Sequence, residues 1–369
     1  MFDFFFPSHP FGSQTLRLVA EAQQGGGDVF DIARTCREIT EGDHDGWERE
    51  WIALAERIQG KAEDALAKGR RTTARKFFFQ ANQYWRMADV FLGSDRAADR
   101  AERFAKSQAC FRQAAALHDP PIEVIQVKCG EEVYDGYFCH PIDPKPGKWP
   151  AVLFLGGADA YAEEIYFSGR QMCERGWAML LVDTPGRGSS MYLKGIPTRP
   201  DYEVPGSACI DWLVDRPEVD AARMGLMGIS MAGYYAPRVA AFDTRIKALV
   251  GWCGCYSLLT DIYEHYDHLR PTLRRLLGDV DDTEARARLA EFTMEGIARN
   301  ITCPTLISHS APDRLMAVAG ARRLFEEIGA TDKELVVYDD PKLGGTAHCS
   351  HDAWAHNVPM MLDWLEERL

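Results

Sequence analysis

The sequence lacks the features of a membrane protein, a secretory precursor and a nucleic-acid-binding protein. No stretch approaches the ~18 uninterrupted apolar residues of a membrane-spanning helix. The apolar residues 1–7 have neither a basic leader nor a small-residue cleavage site, so we expect no secretory signal and a cytoplasmic location. The chain has 42 basic and 55 acidic residues, and its formal charge of −13 repels nucleic acid and anionic membrane surfaces.

Paired cysteines at metal-binding spacing are also missing. The ten cysteines are scattered along the chain without a C-x-x-C pair. We interpret them as reduced, mostly buried thiols and expect no metal ion. At 369 residues and 46% hydrophobic content, the chain is sufficient for one large α/β domain with a smaller companion.

The N-terminal third of the chain has the periodicity of helices, with apolar side chains recurring every three or four positions. This pattern predicts about four helices, over residues 29–39, 47–67, 71–91 and 96–117. The aromatic residues Trp47, Trp51, Tyr84 and Trp85 make this region too apolar to stand alone. They fit either the lining of an apolar pocket or interdomain packing, and packing is the more common role of such residues.

The pattern changes near residue 119. Residues 122–128 and 132–139 alternate apolar and polar side chains on either side of a glycine, which predicts an antiparallel hairpin. Short apolar strands separated by helical stretches then follow, at residues 151–155, 178–182, 224–227, 248–252, 305–309 and 335–338. Such alternation predicts a mostly parallel sheet flanked by helices. We therefore expect an α/β fold with a helical cap over residues 1–120 and a catalytic domain over residues 121–369.

The strongest local motif is Gly228-Ile-Ser230-Met-Ala232-Gly233, where a short strand runs through small residues into a helix. This is the context of a nucleophile elbow, a sharp turn that exposes a serine hydroxyl. The motif departs from G-x-S-x-G because Ala232 takes the place of the second glycine. By itself it fits an ordinary strand-to-helix turn equally well.

The order of two later residues strengthens the interpretation of Ser230 as a nucleophile. Asp313 follows one predicted strand, and His348 follows the last one. Serine, acid and histidine occur in this order in α/β-hydrolases, where imidazole takes the serine proton and the carboxylate orients the imidazole. Asp313 also fits a turn after Pro312, and His351 and His356 compete with His348. The full set predicts an α/β-hydrolase fold with a Ser230–His348–Asp313 triad.

Acyl transfer also needs hydrogen-bond donors for the oxyanion. We expect one to be the backbone N–H of Met231 and the other to be that of Ala158 or Gly157, with Ala158 preferred. A plain tight turn after the strand is the alternative. The G-x-G at Gly186 and Gly188 neither opens a long helix nor follows the first strand of a dinucleotide unit, so we expect no cofactor.

The chain combines the helical N-terminal segment, the hairpin, the G-x-S-x-A-G elbow, the distal acid and the Gly345-Thr-Ala-His348-Cys349 run. In this combination it resembles the family of 2,6-dihydroxypseudooxynicotine hydrolase, which includes fungal polyketide-shortening hydrolases. This resemblance implies cleavage of a carbon–carbon bond next to a ketone, in a substrate held between cap and core. It implies that Ser230 forms an acyl-enzyme and that aryl or β-dicarbonyl substrates fit.

The resemblance also implies an acidic residue in the loop beyond the strand that follows the serine. Glu264 is our first candidate and Asp261 our second, with a solvated helix face as the alternative. We expect Tyr234, Tyr235 and Trp252 to contact the substrate.

Three functions therefore remain open. The first is a C–C hydrolase acting on a small-molecule ketone of aromatic or polyketide type. The second is a carboxylesterase or lactonase, because the same triad cleaves C–O bonds. The third is a non-catalytic, hydrolase-like binding protein. A homodimer is plausible because the cap helices are apolar.

Overall fold

The computed structural model describes residues 5–369, so residues 1–4 of the apolar N-terminal segment lie outside the described residues. In the described part, five helices precede the first strand. They are α1 (His9–Gln23), α2 (Val29–Glu38), α3 (His44–Ala67), α4 (Arg71–Asp89) and α5 (Ala97–Ala116). The last four match the helices that the sequence predicts, with ends displaced by only a few residues.

Side-chain caps explain where two of these helices begin. The Asp28 carboxylate accepts hydrogen bonds from the first backbone N–H groups of α2, and the Asp43 carboxylate does the same for α3. Gly69 follows α3 with a φ of 70°, a left-handed conformation that suits the end of a helix. Helices α2 and α3 therefore have local signals at their ends as well as apolar faces.

Helix α1 was missed by the sequence analysis. Pro7, Pro10 and Gly12 interrupt the helical pattern in its first half. Pro10 nevertheless lies in the first turn, where the backbone needs no N–H donor. Phe11 and Leu18 are fully buried, so tertiary packing stabilises the helix more than local propensity does.

The chain after residue 120 contains an eight-stranded sheet. Its strands are β1 (Glu123–Cys129), β2 (Glu132–Cys139), β3 (Trp149–Leu155), β4 (Ala178–Val182), β5 (Val219–Ile229), β6 (Ala248–Trp252), β7 (Thr305–Ser310) and β8 (Lys333–Tyr338). Their spatial order is β1-β2-β4-β3-β5-β6-β7-β8. The β1–β2 hairpin is antiparallel and joins β4 in antiparallel fashion, whereas β3 to β8 are parallel. The predicted α/β-hydrolase fold is confirmed.

Helices cover the sheet and alternate with its strands. They are α6 (Ala162–Gly169), α7 (Gln171–Glu174), α8 (Gly188–Tyr192), α9 (Glu203–Val214), α10 (Ala232–Phe242), α11 (Arg270–Leu276), α12 (Asp282–Leu289), α13 (Val318–Glu327) and α14 (Trp354–Glu366). Every residue of β4 and β6 is buried, as expected for strands covered on both faces. Within residues 5–369, no helix combines the length and apolarity needed to cross a membrane.

The topology brings three loops to one edge of the sheet. Strands β3, β5 and β7 are parallel, so their carboxyl ends share an edge. The loops that leave these ends carry Asp159, Ser230 and Asp313. Ligand sites of open α/β sheets lie at this edge. The predicted boundary at residue 120 falls between α5 and β1, and the division into two domains stays a prediction.

The cap aromatics pack inside the helical region. The Trp47 ring contacts the Phe11 ring edge-on, with centroids 4.8 Å apart, and its indole N–H donates to the Met87 carbonyl at 2.7 Å. Trp51, Tyr84 and Trp85 are buried as well. These residues therefore form the core of the cap, and none of them lines the cavity described below.

We predict that Trp47→Ala lowers the free energy of unfolding by about 3–5 kcal/mol, because it removes a fully buried ring from the cap core. Chemical denaturation would measure the change. Phe30→Ala is the matched control, since Phe30 is 68% exposed on α2; we expect a change within about 0.5 kcal/mol. Equal small effects of both changes would contradict a packed cap core.

Candidate active site

Ser230 lies on a sharp turn between β5 and α10. Its φ of 60° is left-handed, which is uncommon outside glycine and typical of a strained functional residue. Added Cβ atoms at Gly228 and Gly233 would lie 2.2 Å from the Ala232 carbonyl oxygen and 1.9 Å from that of Cys253. The close approach therefore needs glycine at these two positions, while Ala232 is tolerated.

The structure brings the three predicted triad residues together. His348 Nε2 lies 2.9 Å from Ser230 Oγ, and His348 Nδ1 lies 2.7 Å from Asp313 Oδ2. With the Nδ1–H donating to Asp313, Nε2 is the acceptor for the serine hydroxyl. His351 makes neither contact, and His356 is exposed on α14.

Further hydrogen bonds hold the acid and the base in place. Asp313 Oδ1 accepts from the backbone N–H groups of Leu315 at 2.8 Å and Met316 at 3.3 Å. In the loop before His348, the Ser310 hydroxyl contacts the Ala347 carbonyl oxygen at 2.6 Å. Because both side chains are supported by fixed backbone groups, the Asp313–His348 pair is preorganised.

Burial and charge act in opposite directions on the His348 imidazole. Burial lowers its pKa, while the Asp313 carboxylate raises it, and the net effect raises the pKa of His348 above its ordinary value. Burial likewise opposes ionisation of Asp313, but the His348 charge and hydrogen bond hold the pKa of Asp313 below its usual range. Asp313 is therefore an anion whose charge favours the protonated imidazolium.

Two buried backbone N–H groups are available beside the serine. Met231 is the N-cap residue of α10, and Ala158 follows β3 and lines the cavity that contains Ser230. In residues 5–369, neither N–H donates to a protein acceptor. Gly157 also lies against the serine: an added Cβ there would be 2.9 Å from Ser230 Oγ. Its carbonyl oxygen accepts from the buried Arg187 guanidinium at 3.3 Å.

A cavity contains Ser230 and His348. Its apolar wall includes Ile165, Ile229, Ile262, Leu269, Leu315 and Trp354. The cap helix α1 supplies polar residues to the same cavity, namely Ser13, Gln14, Arg17 and Glu21. Sequence analysis missed these four because it did not predict α1, and only the docked helix reveals them.

The structure does not bring the two acidic candidates to this cavity. Glu264 is exposed and forms an ion pair with Arg286 at 2.8 Å. Asp261 is buried, but its carboxylate accepts from the backbone N–H groups of Tyr256 and Ser257 at 2.8 and 2.9 Å. The expectation that either lines the substrate site is corrected: Glu264 points to solvent, and Asp261 holds a turn.

The aromatic candidates also lie away from the cavity lining. Tyr234 is buried, and its hydroxyl donates to the Pro200 carbonyl at 3.0 Å. The Tyr235 hydroxyl lies 2.7 Å from that of Thr198. Trp252 packs against Trp354 inside the core. This placement corrects the expectation of substrate contact, because helix α10 and strand β6 turn these rings into the core.

All ten cysteines are free thiols. Cys253, His348 and Cys349 lie close enough together for their ligand atoms to hold a metal ion. Both nitrogens of His348, however, already contact Ser230 and Asp313. The donor set therefore fits the triad geometry better than it fits a metal site.

A family model supports the hydrolase interpretation of this geometry. The model described as "Esterase FrsA-like" matches residues 31–272, more than half of the chain, including most of the cap and Ser230. The chain belongs to the FrsA-like esterase family. It is an α/β-hydrolase by family and by fold.

Individual relatives extend the comparison. The hydrolase ORFZ of Pyricularia oryzae is 34% identical over 71% of this chain, and the match spans 65% of the ORFZ length. The α/β-hydrolase xenA of Xenoacremonium sinensis is 28% identical to this chain, and the match covers 98% of this chain and 97% of the xenA length. The structural match to the crystal structure of 2,6-dihydroxy-pseudo-oxynicotine hydrolase covers 96% of this chain and 95% of the hydrolase chain. The two sequences are 26% identical, and the TM-score is 0.84. The resemblance to that hydrolase is confirmed.

We predict that Gly157→Ala lowers kcat/KM at least about 100-fold, the magnitude typical of a disturbed oxyanion site. The new Cβ would lie 2.7 Å from Ser230 Cβ, so the serine or the loop must move. Steady-state kinetics would measure the loss. Gly60→Ala is the control because its Cβ meets open space; unchanged kinetics in both variants would refute the close packing.

We predict that Asp313→Asn lowers kcat by about 10⁴ because the imidazole loses its orienting acceptor. Loss of the anion also lowers the pKa of His348. Because a general base must be neutral, the acidic limb of the kcat/KM–pH profile should move to lower pH. The exposed Asp339→Asn is the control. A limb that stays in place would show that Asp313 does not set the pKa of the base.

Proposed function

We propose that the protein is a serine hydrolase that cleaves a carbon–carbon bond next to a ketone through an acyl-enzyme on Ser230. The contact that carries the proposal is the chain from Ser230 Oγ through His348 to Asp313, with steps of 2.9 and 2.7 Å. These are proton-transfer distances, and the order of groups is that of a nucleophile, a base and an orienting acid.

The proposed reaction begins when His348 Nε2 accepts the Ser230 proton and Oγ attacks the substrate carbonyl carbon. The backbone N–H groups of Met231 and Ala158 then donate to the oxyanion. Collapse of this intermediate breaks the bond to the leaving group, which receives the proton from His348. Water, activated by the same imidazole, hydrolyses the acyl-enzyme and restores the serine.

Two observations favour a ketone substrate of aromatic or β-dicarbonyl type. The cavity wall is largely apolar and partly closed by the cap helix α1, which suits an aromatic or polyketide-like body. The 2,6-dihydroxy-pseudo-oxynicotine hydrolase also matches nearly the whole of this chain in structure. A carbanion leaving group needs delocalisation, and aryl or second carbonyl groups provide it.

The second candidate is an esterase or lactonase. The matching family is described as an esterase family, and the same triad and oxyanion donors cleave C–O bonds. A non-catalytic binding role is disfavoured, because a binding protein has no need of a strained serine within hydrogen-bond distance of a buried Asp–His pair.

We predict that Ser230→Ala abolishes turnover and leaves the melting temperature within a few degrees of that of the wild type, because only one hydroxyl is lost. A fluorophosphonate probe should label the wild type at Ser230, as detected by mass spectrometry of its peptides, and should not label the variant. Wild-type activity in the variant would overturn the assignment of the nucleophile.

The same assays distinguish the two bond types. The wild type is incubated separately with 1-phenylbutane-1,3-dione and with 4-nitrophenyl acetate, and products are quantified by chromatography. We expect turnover of the diketone. Rapid ester hydrolysis without diketone cleavage would reject C–C hydrolysis in favour of the esterase function.

A further inference from the structure

A cluster of five charged side chains forms the cap–core boundary of the cavity. Arg17 and Glu21 come from α1, Arg86 comes from α4, Asp159 follows β3, and Glu164 lies on α6. The side chains of Glu21, Arg86 and Glu164 are no more than 3% exposed. Four members, all except Arg86, line the cavity that contains Ser230. The triad does not use this cluster.

Two of the three carboxylates are paired with arginines. Asp159 contacts Arg17 at 2.9 Å and Arg86 at 3.1 Å, and these charges outweigh burial and hold the pKa of Asp159 well below its usual range. Glu164 contacts Arg17 directly and the Arg86 Nε atom at 3.3 Å. Two guanidinium cations thus balance two carboxylate anions.

Glu21 is the third carboxyl group, and no cation remains for it. Its nearest cationic partner is Arg17 Nε at 3.4 Å, and within the described residues its buried Oε2 atom meets no hydrogen-bond donor. The Glu21 carboxyl lies against that of Glu164, close enough for the two to share a proton. Burial and the neighbouring Glu164 raise the pKa of Glu21 well above its usual range. An uncompensated carboxylate is costly in a buried site, so the charge balance of the cluster favours the protonated form of Glu21 in the cavity wall.

The cluster lies on the side of the cavity near the triad base. His351, which also lines the cavity, has its ring centroid 6.1 Å from that of His348. Burial and the charges of Arg17 and His348 lower the pKa of His351, so both the cluster and the triad lie within electrostatic reach of its ring. In the proposed reaction the leaving group receives its proton from His348, so its reacting atom must lie within reach of this imidazole.

We propose that Glu21 is a catalytic hydrogen-bond donor to the departing half of the substrate, at the oxygen that gains negative charge when the bond breaks. The departing half is then a ketone, and its carbonyl group lies β to the carbonyl group that Ser230 attacks. This inference rests on the proposed function. A neutral acid in an apolar site is suited to stabilise an enolate because it donates strongly without adding charge.

The step balances without another reactant. The bond between the attacked carbonyl carbon and the α-carbon breaks, and its electron pair forms the enolate of the departing ketone. The Ser230 proton passes through His348 to the α-carbon, while Glu21 keeps its proton and donates a hydrogen bond to the enolate oxygen. Water then hydrolyses the acyl-enzyme to the carboxylic acid.

The test compares Glu21→Leu and Glu21→Gln on two substrates. With 1-phenylbutane-1,3-dione, we expect Glu21→Leu to lower kcat about 100-fold, as for the loss of one oxyanion donor. Glu21→Gln keeps an N–H donor and should show a loss between that of the leucine variant and the wild type. With 4-nitrophenyl acetate, whose leaving group is stable as an anion, both variants should stay within a few-fold of wild type.

Glu56→Leu is the matched control, because Glu56 is exposed on the cap helix α3. It should leave both rates unchanged. A loss of equal size on both substrates in the Glu21 variants, or no loss on the diketone, would overturn the proposal. If Glu21→Leu does not fold, the nearly isosteric Glu21→Gln alone tests the proposal. The measured quantity is then the ratio of its diketone rate to its 4-nitrophenyl acetate rate, compared with that ratio in the wild type.

Failure of the Glu21 proposal can be distinguished from failure of the proposed function. Ser230→Ala reports on the nucleophile, whichever bond is cleaved. If the wild type cleaves only esters, the proposed function and the ketone identity of the departing half are both rejected. Phenyl acetate then tests only whether Glu21 donates to the leaving group, because phenolate is a poorer leaving group than nitrophenolate and needs a donor more. A Glu21→Leu loss that is larger on phenyl acetate than on 4-nitrophenyl acetate supports the donor role, and equal losses on the two esters reject it.

Discussion

The site depends on the close backbone contact that forces Ser230 into a left-handed turn. Gly228 and Gly233 let the turn approach the Ala232 and Cys253 carbonyl oxygens, and the Ser230 N–H donates to the Trp252 carbonyl at 2.8 Å. A strained φ of this kind costs about 1–3 kcal/mol, which the buried packing of β5 and β6 offsets. The result is a hydroxyl fixed at the start of a helix, where oxyanion donors are available.

The parallel sheet delivers the other parts of the site to this hydroxyl. Strands β3, β5 and β7 end at one edge, so Ala158, Ser230 and Asp313 become neighbours although they are distant in the sequence. The catalytic core alone does not complete the cavity. Helix α1 closes one side, and its Arg17 joins cap to core through Asp159. The cavity beside Ser230 is therefore complete only when the cap is docked on the core.

The sequence is sufficient to predict the sheet, the four regular cap helices and the grouping of Ser230, Asp313 and His348, because each has a local signal: alternating strands, periodic apolar residues or a turn motif. The sequence does not predict which side chains form the wall of the pocket. Tyr234 follows the serine closely, yet the turn of α10 directs its ring into the core. Glu264 has the right chemistry, but its side chain faces solvent. Which face of an element meets the cavity depends on tertiary docking.

The triad treats an ester and a ketone alike, because the oxyanion that it stabilises is the same for both. Selectivity between bonds must therefore come from groups that contact the departing half of the substrate. The cap–core boundary holds an unbalanced set of charges, with the partly exposed Asp159 and the buried Glu21 and Glu164 carboxyl groups against the two guanidinium groups of Arg17 and Arg86. A low-dielectric site does not keep an uncompensated anion, so one carboxyl group retains its proton. Glu21, with the weakest cationic contact, is where that proton resides, and this places a donor where a poor leaving group needs one.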